Sequence, residues 1–249
     1  MKAMVLAAGL GTRLRPLTDN RPKALVEVAG KTLLEITLRR LRSFGVSEAI
    51  LNVHHFADMI VDYLGKNNNF GLHIEISRED DLLLDTGGGL KKAAWFFLQN
   101  ASAADQPFIL HNVDVISNVD LRRMLEFHAE KRALATLMVQ NRKTSRYLLF
   151  DDQLLLCGRR FEKENKTELV CSSEHPQALA FCGIHVISPR LLSMMTEQGI
   201  FSIITTYLRL AAQGERILAF RADDSYWRDL GNLESLQQAA QDLAQQGLL

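Results

Sequence analysis

The chain has 249 residues, of which 47% are hydrophobic and 23% charged, a composition that excludes a disordered, collagen-like or coiled-coil protein. Its 29 basic and 29 acidic residues give a formal net charge of +0, and no run reaches the roughly 18 apolar residues of a membrane span, so neither nucleic acid nor a membrane is an expected partner. Three cysteines with no Cys-x-x-Cys spacing argue against a disulfide framework or a zinc knuckle and predict a reducing, cytoplasmic location.

Short apolar runs alternate with segments of helical period along most of the chain, a pattern typical of βαβ units around a mostly parallel sheet. Strands are predicted over residues 4–8, 49–53, 72–77, 108–110, 134–139 and 217–220. Helices are predicted over residues 33–44, 57–64, 88–98, 120–131, 189–195 and 201–212, with a last one from residue 232. Asp120 is predicted to cap the helix that it begins. We therefore expect an α/β fold.

The rhythm changes after residue 140, where short strands at 147–150, 154–157 and 178–187 are separated by polar loops. This pattern predicts an antiparallel insertion over about 140–188 within a single domain of residues 1–249. The Gln-rich segment 237–246 is amphipathic, and two interpretations stay open: it covers a flank of its own molecule, or it meets a second copy in a homodimer.

The amino terminus imitates a short secretory signal, because Lys2 precedes an apolar run that ends at Ala8. The next seven residues are Gly-Leu-Gly-Thr-Arg-Leu-Arg, which place two glycines and two arginines where a cleavage region would lie. A buried strand that leads into a loop fits this composition better than a signal peptide does.

A strand that ends in Gly9-x-Gly11 lets backbone N–H groups approach a ligand closely, as nucleotide phosphates require. Two glycine-loop motifs are excluded by their spacing. The dinucleotide fingerprint needs a third glycine where the chain has Leu14. A phosphate loop that ends in Gly-Lys-Thr at residues 30–32 would need its first glycine where the chain has Leu25.

Cationic side chains are concentrated directly after this loop. Arg13, Arg15, Arg21 and Lys23, against Asp19, give residues 13–23 a local charge of +3. On a chain without net charge, a cluster of this size predicts a site for a polyphosphate.

The stretch from residue 6 to residue 23 resembles the sugar-1-phosphate nucleotidyltransferases, whose signature is L-A-A-G-x-G-T-R-x-x-P-L-T followed by P-K-P. One position departs from it, Ala24 in place of proline. The resemblance continues at residues 84–89, 112–114 and 227–231, so it spans nearly the whole chain. It is strongest to short members without a β-helix, the N-acetylmuramate 1-phosphate uridylyltransferases first and the mannose-1-phosphate guanylyltransferases next.

The resemblance implies a Rossmann-like, mostly parallel sheet with an inserted antiparallel sugar-binding region. It also implies that an NTP and a sugar 1-phosphate react, with Mg²⁺, to give a nucleoside diphosphate sugar and pyrophosphate. UTP and an N-acetylmuramate 1-phosphate-like acceptor are favoured, and GTP with mannose 1-phosphate is the alternative.

Two other classes of function each predict a sequence feature that this chain does not show. A glycosyltransferase predicts an Asp-x-Asp motif after a middle strand, and Asp114-Val115-Ile116 does not supply it. A non-catalytic nucleotide-binding module predicts the loss of Lys23, Asp114 or Asp229, and all three are present.

The resemblance also assigns roles to residues of this chain. Arg13 would hold the departing phosphates, Lys23 the α-phosphate and the attacking phosphate, and Asp114 and Asp229 the Mg²⁺. Nucleotide contacts are expected from Leu6, Ala8, Gly9, Gly11, Thr12, Arg13, Lys23, Thr86, Gly87 and Gly88. Asn112 and Arg146 are expected at the sugar, where an arginine would suit an anionic group.

Three further expectations concern single segments. The glycines 87–89 are expected to form a loop before a helix, open enough to admit a flat base. Residues 159–166, with Glu162 and Lys163, are expected to form a solvated charged loop. The histidines His54, His55, His111 and His185 lack ligand spacing and are expected in the core or in a pocket wall.

Overall fold

The structure, a computed structural model, describes residues 1–99 and 106–246. The strands are β1 Lys2–Leu6, β2 Glu27–Val28, β3 Lys31–Thr32, β4 Glu48–Val53, β5 His73–Arg78, β6 Phe108–Asn112, β7 Val115–Ser117, β8 Ala135–Gln140, β9 Arg146–Phe150, β10 Leu156–Phe161, β11 Lys166–Leu169, β12 Gln177–Ile187, β13 Ile217–Arg221 and β14 Trp227–Asp229. The helices are α1 Leu33–Ser43, α2 Ala57–Lys66, α3 Asp85–Lys92, α4 Ala94–Leu98, α5 Leu121–Glu130, α6 Arg190–Ser193, α7 Ile203–Ala212 and α8 Leu233–Gln246. Short 3-10 turns occupy Thr12–Leu14, Lys23–Leu25 and Asn68–Gly71.

The central sheet runs in the order β5-β4-β1-β6-β12-β8-β13. The pairs β5–β4, β4–β1, β1–β6 and β8–β13 are parallel, while β12 is antiparallel to β6 and β8. The predicted α/β class with a mostly parallel sheet is therefore confirmed. Parallel pairs need crossover connections, which here contain helices.

The region after residue 140 forms an antiparallel extension of this sheet. The first half of β12 pairs with β9, which pairs with β10, which pairs with β11. The expected charged loop over residues 159–166 is wrong in part: Arg159 to Phe161 continue β10, and β11 begins at Lys166. The turn between them holds Glu162 and Lys163, which are exposed.

The sheet is covered on both faces, and β1 shows how. Ala3 and Val5 belong to one apolar cluster, with residues of α1, α2, α5 and α8, while Met4 belongs to a second cluster with residues of α3, α4 and α7. Alternate residues of a strand point to opposite faces. A strand buried on both sides reads as a continuous apolar run, which is why the sequence predicts β1.

Two helix ends follow the expected capping. The Asp120 side chain accepts hydrogen bonds from the backbone N–H groups of Arg122 and Arg123 at the start of α5. The Asn232 side chain accepts from the N–H of Ser235 at the start of α8. Of the two interpretations of the C-terminal helix, the structure shows it on a flank of its own molecule, since Leu236, Ala239 and Leu243 are buried in the first cluster.

One predicted loop is a helix. Gly87, Gly88 and Gly89 lie buried in the first turns of α3, which begins at Asp85. The predicted helix over residues 88–98 is instead two helices, α3 and α4. Within residues 1–99 and 106–246, none of the helices is both long and apolar enough to span a membrane.

Candidate active site

The site lies where the sheet changes its direction of winding. The chain passes from β1 outward through β4 to β5 and then returns to β6 on the other side of β1. The carboxyl ends of β1 and β6 therefore diverge into different loops, which opens a crevice at this edge of a doubly wound sheet. The two strands stay joined at their ends, because Val113 donates a backbone hydrogen bond to the carbonyl of Leu6.

The loop after β1 is folded tightly enough to bring Lys23 back to the end of that strand. Gly11 has φ +65, a conformation that favours glycine. A Cβ there would lie 2.9 Å from the Thr18 methyl and 3.1 Å from the Lys23 Cβ. The Thr18 hydroxyl donates to the Gly11 carbonyl at 2.9 Å, so this glycine allows Thr18 and Lys23 to pack against the loop.

A two-stranded ribbon brings the two predicted metal ligands together. β7 follows Asp114 directly and pairs antiparallel with β14, with Asp229 opposite Val115. The backbone N–H of Leu230 donates to the Asp114 carbonyl at 2.8 Å. Residues far apart in the sequence thus place their carboxylates side by side.

Lys23 is paired with one of these two carboxylates and lies near the other. Lys23 Nζ forms an ion pair with Asp114 Oδ2, and the two side chains are only 10% and 17% exposed. Burial, and then the charge of Asp114, raise the pKa of Asp229, while Lys23 and Arg13 act in the opposite direction. Asp229 also accepts a hydrogen bond from the Gly231 N–H at 2.7 Å.

Arg13 completes this cluster from the loop after β1. A Cβ on Gly231 would lie 2.5 Å from both Arg13 Nη2 and Asp229 Oδ1. The absence of a side chain at Gly231 therefore leaves room for both the guanidinium and the carboxylate. Of the predicted catalytic residues, the structure brings all four together: Arg13, Lys23, Asp114 and Asp229.

Two cavities open on either side of the cluster. The first, of about 380 Å³, is lined by Leu6, Ala8, Gly9, Lys23, Asn52, Leu83, Asp85, Thr86, Asn112, Val113, Asp114 and Ile200. The second, of about 580 Å³, is lined in part by Arg13, Arg142, Arg146, Arg159, Trp227 and Asp229. Asp85, Thr86 and Asn112 line both, so the cavities are adjacent.

The glycines at the start of α3 do not present free amides to the first cavity. The N–H groups of Gly87 and Gly88 both donate to the Phe201 carbonyl, at 2.9 and 3.2 Å. A Cβ on Gly87 would lie 2.4 Å from the Phe201 ring. The expected contact between a base and this bare backbone is corrected accordingly: the glycines allow α3 to pack against residues 199–203.

The predicted sugar residues lie at the second cavity. Asn112 ends β6, and its Oδ1 is buried without a hydrogen-bond partner in the structure. Arg146 begins β9 and is exposed. Of the four histidines, His111 and His185 are 1% exposed and lie in the core as predicted. His55 is exposed, so the expectation is wrong for that residue.

Several lining residues were not singled out from the sequence. Arg142 lines the second cavity: its guanidinium stacks on Trp227, 3.7 Å from the ring centroid, and donates to the Phe181 carbonyl at 2.8 Å. Asn52 reaches the first cavity from β4. A polar residue inside the apolar run Ala-Ile-Leu-Asn-Val is the signal that would have pointed to it.

The donor set fits Mg²⁺ better than a metal held by protein alone. In the part of the chain that the structure describes, no three His, Cys, Asp or Glu side chains are grouped to hold a metal. Asp114 and Asp229 are close enough for the charge of one to raise the pKa of the other. Mg²⁺ is usually bound by one or two carboxylates together with substrate phosphates, and the two carboxylates of such a set lie here.

Comparison with known proteins places this geometry in context. A family model described as nucleotidyl transferase matches residues 2–246. The chain is 34% identical over 249 residues to the N-acetylmuramate alpha-1-phosphate uridylyltransferase of Caulobacter vibrioides, covering 98% of this chain and 97% of that protein. It is 29% identical over 243 residues to a mannose-1-phosphate guanylyltransferase of Mycobacterium tuberculosis, covering 97% of this chain and 64% of that protein.

Solved structures show the same fold. HddC from Yersinia pseudotuberculosis, complexed with GMP-PN, has a TM-score of 0.75 at 22% identity, covering 97% of this chain and 99% of that one. A putative glucose-1-phosphate thymidylyltransferase from Bacillus anthracis has a TM-score of 0.78 at 18% identity, covering 99% and 96%.

Proposed function

Because the chain belongs to the nucleotidyl transferase family, we propose that it makes a nucleoside diphosphate sugar and pyrophosphate from an NTP and a sugar 1-phosphate. The observation that carries the proposal is the position of Arg13, Lys23, Asp114 and Asp229 at the junction of two adjacent cavities. One cavity is the NTP site, and the other is the acceptor site.

The reaction is a single in-line displacement. An oxygen of the sugar 1-phosphate forms a bond to the α-phosphorus of the NTP, and the bond from that phosphorus to the β-phosphate oxygen breaks. Pyrophosphate leaves with the electron pair. No covalent intermediate with the protein is needed, so catalysis consists of positioning two polyanions and neutralising their charge.

The four residues divide this task. Arg13 presents a planar fork of donors to the β- and γ-phosphates, and Lys23, a compact charge, lies between the α-phosphate and the attacking phosphate. Asp114 and Asp229 would hold Mg²⁺, which would supply positive charge to offset that of the phosphates.

The nucleotide is held by the segments that end at the first cavity. Leu6, Ala8, Gly9, Gly11 and Thr12 supply backbone on the phosphate side, and Thr86 faces the cavity from the start of α3. Gly87 and Gly88 contribute through the placement of α3, since their amides bind Phe201.

UTP is the preferred nucleotide, and the supporting observations are the modest volume of the first cavity, about 380 Å³, and the likeness to a uridylyltransferase over the full chain.

The acceptor is an N-acetylmuramate 1-phosphate-like sugar. Arg142 and Arg146 line the second cavity and have no acidic partner within 4 Å among the described residues, so a carboxylate on the sugar would find a guanidinium there. The whole of residues 1–249 acts as one cytoplasmic domain, in which the segment 140–188 walls the acceptor site.

Pyrophosphate release measured for UTP, dTTP, GTP and ATP against muramate, glucosamine, glucose and mannose 1-phosphates tests this proposal. The highest kcat/KM is expected for UTP with N-acetylmuramate 1-phosphate. A preference for GTP with mannose 1-phosphate would overturn the substrates and leave the mechanism in place. Absence of turnover with every pair would overturn the function itself.

A further inference from the structure

A line of buried hydrogen bonds connects the two walls of the first cavity. Asn52 Oδ1 accepts from the backbone N–H of Ala7 at 2.8 Å, at the start of the loop after β1. Asn52 Nδ2 donates to Glu79 Oε1 at 2.7 Å. Glu79 Oε2 accepts from the backbone N–H of Leu84 at 2.8 Å, immediately before α3. The side chains of Asn52 and Glu79 therefore join the loop after β1 to the segment that enters α3.

The carboxylate in this line is unusual because of its burial and its partners. Glu79 is 1% exposed and Asn52 is 3% exposed. Within residues 1–99 and 106–246, no Lys, Arg or His lies within ion-pair distance of Glu79. A buried carboxylate is costly unless hydrogen bonds satisfy it, and here its partners are uncharged donors.

Helix α3 passes directly over this pair. A Cβ on Gly89 would lie 2.8 Å from both Asn52 Nδ2 and Glu79 Oε1. The glycine thus gives the two side chains the space in which they meet. The start of α3 is consequently fixed twice, by the Leu84 N–H on Glu79 and by the packing of Gly89 on the pair.

We propose that Glu79, acting through Asn52 and Leu84, is a positioning residue that sets the spacing between the loop after β1 and the segment that enters α3. The proposal rests on the assignment of the first cavity to the NTP. Glu79 itself is covered by these two partners and by α3, so its effect on the nucleotide is indirect.

A positioning role makes a specific kinetic prediction. If the bonds hold the free cavity at the spacing that a nucleotide needs, their loss lowers the fraction of molecules ready to bind. Apparent affinity decreases by that fraction, while the bound complex and its chemistry stay the same. The KM for nucleotide therefore changes and kcat at saturation does not.

Three variants distinguish the effect of the hydrogen bonds from the effect of having a glutamate at position 79. In E79Q, the amide oxygen accepts from one of the two donors, and the amide NH₂ faces the other donor. In N52D, two carboxylates face each other. In the double variant N52D/E79Q every bond is restored with one polarity reversed: Asp accepts from Ala7 and from the new Gln, whose oxygen accepts from Leu84. The single buried negative charge is kept.

We expect E79Q to raise the KM for UTP roughly tenfold or more, with kcat within about threefold of wild type, since a bond to a charged group has been lost. The double variant should return KM to within about threefold of wild type. E75Q is the matched control, because it removes a carboxylate from β5 that is half-exposed and paired with His73; its KM should not change. Thermal unfolding and circular dichroism accompany each measurement.

Several outcomes would overturn the positioning role. They are an E79Q variant that keeps the KM of wild type or loses kcat rather than affinity, a double variant that retains the KM of E79Q, or, where E79Q fails to fold, a double variant that fails to fold as well. A changed preference among UTP, dTTP, GTP and ATP in E79Q that the double variant does not restore would mean that Glu79 contacts the base.

Calorimetric binding of UTP without acceptor separates this test from that of the proposed function. If wild type turns over no pair but binds UTP, the order of affinities among the variants still decides the positioning role. Wild type that binds none of the four nucleotides would overturn both inferences.

Discussion

At the scale of single residues, the centre of the site is a lysine that balances one of two neighbouring carboxylates. Lys23 is paired with Asp114, and the pKa of Asp229 is raised by burial and by the charge of Asp114. Arg13 lies near enough to act against this rise in the pKa of Asp229, so two cations face two carboxylates in a half-buried site. The phosphates of an NTP and a sugar 1-phosphate would add several negative charges, and this excess is the physical basis for the predicted metal requirement.

Asp229→Asn should lower kcat by roughly a hundredfold or more, on the scale of losing one preorganised electrostatic group. Folding should be retained, because the new side chain keeps an oxygen for the Gly231 N–H. Steady-state kinetics with Mg²⁺ titrated into metal-free protein measures the effect. Asp242→Asn is the control. This carboxylate on α8 pairs with Arg228, the neighbour of Asp229 on β14, at 2.8 Å, but it lies outside both cavities. Full turnover of wild type in excess EDTA would contradict the prediction.

At the scale of elements, α3 is a helix whose first turns contain glycines for reasons of packing. Its amides and the Phe201 carbonyl are bonded directly, and the Thr86 hydroxyl accepts from the N–H of Ile203 at 3.0 Å. The close approach of α3 to residues 199–203 leaves no room for side chains at Gly87 and Gly88. Packing here outweighs the poor helix propensity of glycine.

Gly88→Ala tests this balance. Alanine gains about 1 kcal/mol of helix propensity, but its Cβ would lie 2.6 Å from the Gly199 carbonyl oxygen. Overpacking against backbone costs about 1–3 kcal/mol, so the variant should be less stable. Gly65→Ala is the matched control in α2, where nothing lies within 4 Å of the added Cβ, and it should stabilise by roughly 0.5–1 kcal/mol. Chemical denaturation measures both, and equal effects would contradict the packing argument.

At the scale of the whole molecule, three histidines are buried in the neutral form. Burial is the first cause that lowers their pKa, to about 4 in His111 and His128 and to about 3 in His185. The unfolded chain binds these protons near pH 6.5, so stability is complete above that pH and is lost as the pH falls toward 4. Acid sensitivity is therefore distributed through the core.

Replacing His128 with Gln should make stability less dependent on pH. The neutral ring bonds the Thr136 and Ser188 hydroxyls, each at 2.9 Å, so the variant loses stability at pH 7. Its deficit relative to wild type should narrow below pH 6.5 by up to about 1.4 kcal/mol per pH unit. Urea unfolding from pH 7.5 to 4.5 measures the difference. A His128→Gln deficit that stays constant over this pH range would contradict the assignment.

How far the sequence predicts this molecule depends on whether the signal is local. The apolar run of β1 and the cap at Asp120 are local, and both are confirmed. Asp114 and Asp229 were predicted together through the family resemblance, and the β7–β14 ribbon brings them side by side. The run of glycines predicts a loop from propensity alone, whereas contact with residues 199–203 makes it a helix. The link between Asn52 on β4 and Glu79, the residue after β5, has no signature along the chain.

The β7–β14 ribbon also determines when, during synthesis of the chain, Asp114 and Asp229 can come together. Six strands and three helices lie between its two strands along the chain, so Asp229 is synthesised long after Asp114. Chains emerge from the ribosome amino terminus first, and early domains fold as they appear. The loop after β1 and the parallel strands beside it can therefore assemble on a nascent chain that still lacks Asp229. The proposed active site is complete only when the last strand, β14, has paired with β7.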